Sequence, residues 1–224
     1  MKPVLLLLLL VLSGCAALPG QSPVAATGSR DAGCAALSPE EVLVINLSQE
    51  MAGEGRLHAA LANLQRLPDN YPEVRWQKAR ILRLLNDDQA VALYTGLLDS
   101  CMVANGHHGL GQLDFAAEEY HRALDHFRKA AQLSPTNDAI RNDLGLAYMS
   151  LRRVDEARFE LLTALELNQG NTQPVDNLLT LLFYQNMWSE AGSLAESKNV
   201  SVERLRQAEQ RAREMRAEDD QVTR

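Results

Sequence analysis

The sequence predicts an all-α chain, a solenoid of helix-turn-helix units ending in a polar helix, and three observations carry that reading. Residues 104–137 superimpose on 138–171 at a constant offset, and self-similarity at such a period marks a repeat architecture. Ala and Leu dominate while aromatics are only 5% of the chain, a composition suited to close-packed helices and poor for a β-sandwich. Turn-forming residues stand at the repeat junctions: Pro135 cannot continue a helix, Asn137 or Asp138 can cap the next one, and Gly170 can end the one after.

The chain opens on Lys2, an apolar run from Val4 to Leu12, and then Leu12-Ser13-Gly14-Cys15. A basic start, a short apolar stretch and small residues at a cut site read as a secretory signal. Nine apolar residues are too few to cross about 30 Å of hydrocarbon as a helix. Residues 1–14 are therefore read as a signal peptide. Residues 15–37 are rich in Ala, Gly, Pro and Ser and read as a tether that spans distance without packing. At Ser38 the pattern changes. Ser38-Pro39-Glu40-Glu41 places a cap, a Pro at the first helical position and acids in the first turn, where the helix dipole favours them.

From here to residue 200 the repeats follow. Leu110 and Gly111 fall on Leu144 and Gly145, Ala123 on Ala157, Phe127 on Leu161, Ala130 on Ala164, Leu133 on Leu167 and Asn137 on Asn171. The logic is steric: two helices approach to about 8 Å only where small residues stand at the crossing. Gly111, Ala123, Gly145 and Ala157 are those residues, with Phe127, Leu133, Leu161 and Leu167 filling the space between neighbouring units. Residues 172–199 form a further, shorter unit carrying Leu178, Leu182, Trp188 and Ala191. Upstream, 41–70 keeps Leu47, Gly55, Ala60 and Leu64, while 71–103 keeps Ala90, Tyr94 and Leu97 without the Leu-Gly pair. Degenerate outer units suit a capped solenoid. Residues 201–224 are crowded with Arg and Glu and read as a solubilising capping helix and tail.

The Leu-Gly pair, the early Ala of the second helix and the closing Pro135 resemble the tetratricopeptide repeat, about five of them in this chain. Likewise, Leu12-Ser13-Gly14-Cys15 resembles a bacterial lipobox, which implies acylation of Cys15 after cleavage; an ordinary signal peptide cut near Ala16 or Ala17 is the alternative. Ala16 follows, not the Asp that retains lipoproteins in the inner membrane, so the resemblance implies the inner leaflet of an outer membrane with the folded part facing the periplasm. At roughly 0.8 kcal/mol per buried CH₂, several acyl chains anchor such a protein durably.

Formal charge is −7, and −8 once Lys2 leaves with the signal. That argues against nucleic acid and anionic lipid surfaces as partners. Cys34 and Cys101 remain in a compartment where disulfides persist, and they either pair or stay as two separate thiols. Chemistry is scarce. Gly106, Gly109 and Gly111 lack the Lys-Ser/Thr of a phosphate loop. His107, His108, His121 and His126 have no Cys or carboxylate completing a tetrahedral metal set and read as solvated. No nucleophile-base constellation is apparent, so no enzymatic activity, cofactor or small-molecule substrate is expected.

What remains is a binding surface. In the repeat family, positions 2, 5, 9 and 12 of each first helix line the concave face. Position 12 falls on Leu82, Phe115, Met149 and Phe183; position 5 on Arg75, His108, Asn142 and Asp176; position 9 on Gln112 and Thr180. Such a groove suits an amphipathic helix or extended peptide, unless position 12 packs against the adjacent first helix instead. The whole mature chain, including the LSGCAAL start and the helix Asn142-Asp143-Leu144-Gly145-Leu146-Ala147-Tyr148, resembles the TadD-type lipoproteins of tight-adherence (Flp) pilus systems. That resemblance implies a pilotin, an outer-membrane adaptor assisting a secretin subunit. Repeat lipoproteins serving peptidoglycan enzymes or outer-membrane protein assembly are the second reading.

Overall fold

Ser38 starts the first helix as its sequence dictates: its Oγ accepts the Glu41 N–H at 3.3 Å and its own N–H donates to Glu41 Oε2 at 2.7 Å. This reciprocal cap holds the Glu41 carboxyl below its ordinary value. The computed structural model describes Cys34 and residues 36–222; Cys15 and most of the 15–37 segment lie outside the described residues. Within them the helices are α1 (Pro39–Gly53), α2 (Leu57–Leu64), α3 (Pro72–Leu84), α4 (Gln89–Thr95), α5 (Val103–Ala116), α6 (Tyr120–Leu133), α7 (Asp138–Ser150), α8 (Val154–Leu167), α9 (Gln173–Tyr184), α10 (Trp188–Ser197) and α11 (Val202–Val222). No strand occurs among the described residues. Consecutive helices pair as hairpins from α1–α2 to α9–α10, and the odd-numbered helices also touch one another in series.

The turn inside each hairpin repeats more faithfully than the sequence does. Asn86, Glu118, Arg152 and Asn186 all take φ between 55° and 62°. In each case the N–H of the following residue closes on a carbonyl five residues back, as in Asp87 to Leu82, Glu119 to Asp114, Arg153 to Tyr148 and Met187 to Leu182. This is a left-handed helix terminus. Gly55 plays the part in the first hairpin with φ 78°. Gly55 is thus a turn residue and not the helical glycine its repeat position suggests.

The repeat glycines carry the close helix approach that the sequence predicts. A Cβ on Gly111 would lie 2.6 Å from the Phe127 ring, and one on Gly145 would lie 2.8 Å from Leu161. Phe127 and Leu161 are accordingly buried, whereas Leu133 and Leu167, expected to fill the gap between units, are 52% and 40% exposed. Each is the last residue of its helix. Gly109 is spoken for as well, since its would-be Cβ meets the Tyr94 ring at 2.1 Å.

Asn137 caps α7, accepting the Ile140 N–H at 3.1 Å. Gly170 stands three residues beyond the end of α8 and does not end it; Asn168 is the cap. A continuous core runs from α6 to α11, with smaller clusters joining α1 to α3 and α3 to α5. Cys34 is bonded to Cys101 with Cα atoms 5.5 Å apart, closing 67 residues of sequence separation.

Candidate functional site on the odd-numbered helices

The face formed by α5, α7 and α9 is bound together by a polar ladder. Two donors converge on Asp143 Oδ2, the Nε2 of His108 at 2.8 Å and Gln112 Nε2 at 2.8 Å. Asn142 Nδ2 donates to Asp143 Oδ1 at 3.1 Å, and Asn177 Nδ2 donates across to Asn142 Oδ1 at 2.9 Å. Burial pushes the Asp143 carboxyl up, but the bonds from His108, Gln112 and Asn142 and the His108 charge outweigh it and hold the group below its ordinary value. An ionised carboxylate accepts only, so the His108 proton sits on Nε2. His108, Gln112 and Asn142 are therefore consumed in joining one repeat to the next.

In the position-12 column Leu82, Met149 and Phe183 are all buried, and the partners of Leu82 and Phe183 include residues of the second helix of their own hairpins. Leu82 packs with Ala79, Ala90, Tyr94 and Leu97. Phe183 lies against the Trp188 ring with centroids 5.1 Å apart. Phe115 differs, being half-buried between Tyr120 and Phe127 and reaching a cavity of about 360 Å³ also lined by Tyr120, Leu146, Met149 and Met215. Arg75 does not face this cavity. It donates to Gly96 O at 2.6 Å and Asp69 O at 3.2 Å, tying α3 to the end of α4.

Asp176 and Thr180 are covered by α11. This helix packs chiefly on α9 and runs parallel to it, instead of merely closing the end of the array. Arg204 pairs with Asp176 at 2.7 Å and Arg211 Nε donates to Thr180 Oγ1 at 3.2 Å. Arg216 donates to the carbonyls of Phe183 at 2.6 Å and Tyr184 at 3.2 Å. At the far end Asp219 accepts from Tyr184 Oη at 2.8 Å and from Arg152 at 2.6 Å. Burial raises the Asp219 carboxyl, and the Tyr184 and Arg152 bonds bring it below its usual range. Ala208 and Ala212 are fully buried beneath the helix.

The terminal segment is thus an integral wall of the site and not only a solvated cap. The signal was present in the sequence: Leu205, Ala208, Ala212 and Met215 recur at helical spacing among the charges. The roles of Asp143, Asn177 and the three arginines had no comparable signal, because each depends on a partner in another repeat.

The TPR repeat-containing protein PA4299 of Pseudomonas aeruginosa is 44% identical to this chain over 206 residues, spanning 91% of this chain and 80% of its own length. The chain belongs to the tetratricopeptide-repeat family. The family's sequence pattern matches residues 114–182, from the end of α5 to α9. Among solved structures, the pilF protein of Pseudomonas aeruginosa superimposes with a TM-score of 0.60 at 16% identity, covering 75% of this chain and 76% of that one. TTC0263, a TPR protein of Thermus thermophilus, does so at 0.59 and 18% identity, covering 78% and 98%. At these identities the likeness is one of fold.

Among the described residues of this tetratricopeptide-repeat protein, no group of three or more His, Cys, Asp or Glu side chains is placed to hold a metal, and no helix is long and apolar enough to cross a membrane. Three of the four histidines expected to be solvated are not: His108 is bonded to Asp143, and two others meet each other. His107 and His126 are half-buried with their Nδ1 atoms 3.0 Å apart. Burial lowers both; His107 is depressed further by the His126 charge and Lys129, whereas Asp114 partly offsets the effect at His126. His121 is exposed.

Proposed function

We propose that this chain is a non-enzymatic, lipid-anchored adaptor at the inner leaflet of the outer membrane, acting as the pilotin for the secretin of a tight-adherence pilus or related secretion machine. The tetratricopeptide fold supplies a scaffold for protein contact. The observation that carries the finer reading is the joining, in one chain, of Leu12-Ser13-Gly14-Cys15 and a Pro/Ala-rich segment to that scaffold. Acylated Cys15 anchors the chain, the segment up to Cys34 gives it reach, and the odd-helix face around Phe115, Asp176 and Thr180 receives the partner. A hydrophobic rim beside fixed hydrogen-bonding groups matches an amphipathic helix from another protein.

The test is crosslinking in intact cells followed by detergent extraction and mass spectrometry, on wild type and Cys15→Ser. A secretin subunit is expected among the products from wild type, and Cys15→Ser should leave the membrane fraction. Capture of peptidoglycan enzymes in place of a secretin overturns the pilotin assignment. Cys15→Ser remaining tightly in the outer membrane overturns the anchor.

A further inference from the structure

Most polar groups that α9 offers to α11 are hydrogen-bond acceptors met by arginines, the exception being the Tyr184 hydroxyl, which donates to Asp219. The Asp176 carboxylate and Thr172 O meet Arg204, the Thr180 hydroxyl and Asp176 O meet Arg211, and the carbonyls at the end of α9 meet Arg216. Between these contacts the apolar seam is narrow: Ala208 and Ala212 are buried, flanked by partly buried Leu205 and Met215. Most of the remaining α11 side chains are charged and solvated, apart from Asp219, which Tyr184 and Arg152 hold. The ion pair of α11 to Asp176 is roughly a quarter to a third exposed on either side, and that of Arg152 to Glu218 is more open still. Pairs of that kind hold weakly and are screened by salt. The cavity lined by Phe115, Tyr120 and Met149 is bounded on the α11 side by Arg211, Glu214, Met215 and Glu218, of which only Met215 is apolar.

We propose that the α7–α9 face is a docking site for arginine-bearing amphipathic helices, and that α11 occupies it in cis, so that a partner helix engages by displacing α11. This rests on the reading of the chain as a protein-binding adaptor. The recognition is chemical: the planar guanidinium reaches two acceptors at once, which a lysine ammonium does as a single point charge. Large apolar residues on the incoming helix, in the places where α11 has Glu214 and Glu218, would fill the cavity. Such a helix gains apolar contact where α11 presents carboxylates, which gives it the differential affinity that displacement requires.

The test keeps the full chain and uses as the probe a synthetic peptide of residues 201–222 carrying Glu214→Leu and Glu218→Leu, the two acids that line the cavity. Hydrogen exchange of the α11 amides is followed in the intact protein while peptide is added. Exchange within α11 should accelerate as peptide replaces it, with α5–α8 unchanged. A peptide carrying Arg204→Ala, Arg211→Ala and Arg216→Ala should need at least about tenfold more for the same effect, and the three Arg→Lys changes should fall between. Asp176→Asn in the protein should itself loosen α11. In a second form, a protease site placed at Asn199–Ser201 is cut in the folded protein. The freed helix should then exchange with labelled peptide while circular dichroism of the remaining repeats persists.

Failure of the peptide to exchange at any concentration, equal potency of the arginine-free peptide, or melting of the repeats once α11 departs would each overturn the proposal by making α11 inseparable from the repeats. A photocrosslinker at residue 180 in cells separates this from the adaptor reading. Peptide exchange without any captured protein sinks the adaptor role, whereas capture without peptide exchange sinks the cis occupancy.

Discussion

Phe115 and Phe183 share a register position two repeats apart, yet their surroundings predict different consequences of truncation. Phe183 is 5% exposed, enclosed by the core that joins α9, α10 and α11, and its ring lies 5.1 Å from that of Trp188. Phe183→Ala loses the transfer free energy of a whole ring and leaves a cavity, roughly 3–5 kcal/mol together. For a unit of this size each kcal/mol moves the midpoint by about 2–4 °C, so a fall of roughly 6–20 °C is expected. Phe115 is half-buried, with one side against Tyr120 and Phe127 and the other open to the cavity. Only part of its surface returns to water, and about 1–2 kcal/mol is expected. Thermal denaturation followed by far-ultraviolet circular dichroism compares the two, and Phe115→Ala should weaken capture of the partner while its midpoint falls less than that of Phe183→Ala. Equal losses for the two variants, or a Phe183→Ala midpoint within a degree of wild type, would refute the division of this column into core and rim.

Three further outcomes are expected. Glu118→Gly should stabilise the chain by about 1 kcal/mol, because Glu118 holds φ 62° in an exposed turn where only glycine sits without strain; an unchanged urea midpoint would contradict this. Lowering the pH should weaken the fold in two windows. His107 and His126 lie below their ordinary 6.5 when folded, so their contribution is present above that value and is lost as pH falls through the folded values; His126→Gln should flatten this slope. Asp143, depressed below 3.8, keeps its contribution above that value and loses it only further into acid, a loss that Asp143→Asn should remove from the pH profile. Finally, Cys34→Ser with Cys101→Ser frees a loop of 67 residues' separation, for which chain entropy predicts roughly 4 kcal/mol; equal urea midpoints with and without reductant would count against the bond.

The repeat helices from α5 to α8 were legible because their packing is local. Gly111 meets Phe127 and Gly145 meets Leu161 within the same hairpin, so the steric requirement is written twice at one spacing. The left-handed turn was less visible, since Asn86, Glu118, Arg152 and Asn186 share a backbone shape and not a residue type. The site was legible only in outline. Position 12 identifies one column of residues, but whether Leu82 or Phe115 is covered depends on the elements that pack over it. His108 and Asn142 were placed on the correct helices, yet Asp143, which draws His108 and Gln112 together, carries no mark in the sequence that separates it from a solvated acid. The strongest discrepancy concerns α11, whose charge suggested solvation. Most of its side chains are indeed solvated, and its position is fixed by the few that are not: Ala208, Ala212 and the arginines that meet α9.

The bond between Cys34 and Cys101 also decides how the molecule carries tension. A pull applied upstream of Cys34 passes through the two sulfurs straight to residue 101, where α5 is about to begin. Helices α1 to α4 lie inside the covalent loop and outside the load path. Under force the chain can lengthen only by unravelling the units from α5 onward, and the looped segment is withheld from the contour, a length of roughly 230 Å at about 3.5 Å per residue. Reduction of the bond would return that length and bring the first two hairpins under load, converting a short, stiff attachment into a long, compliant one without altering a single contact on the odd-helix face.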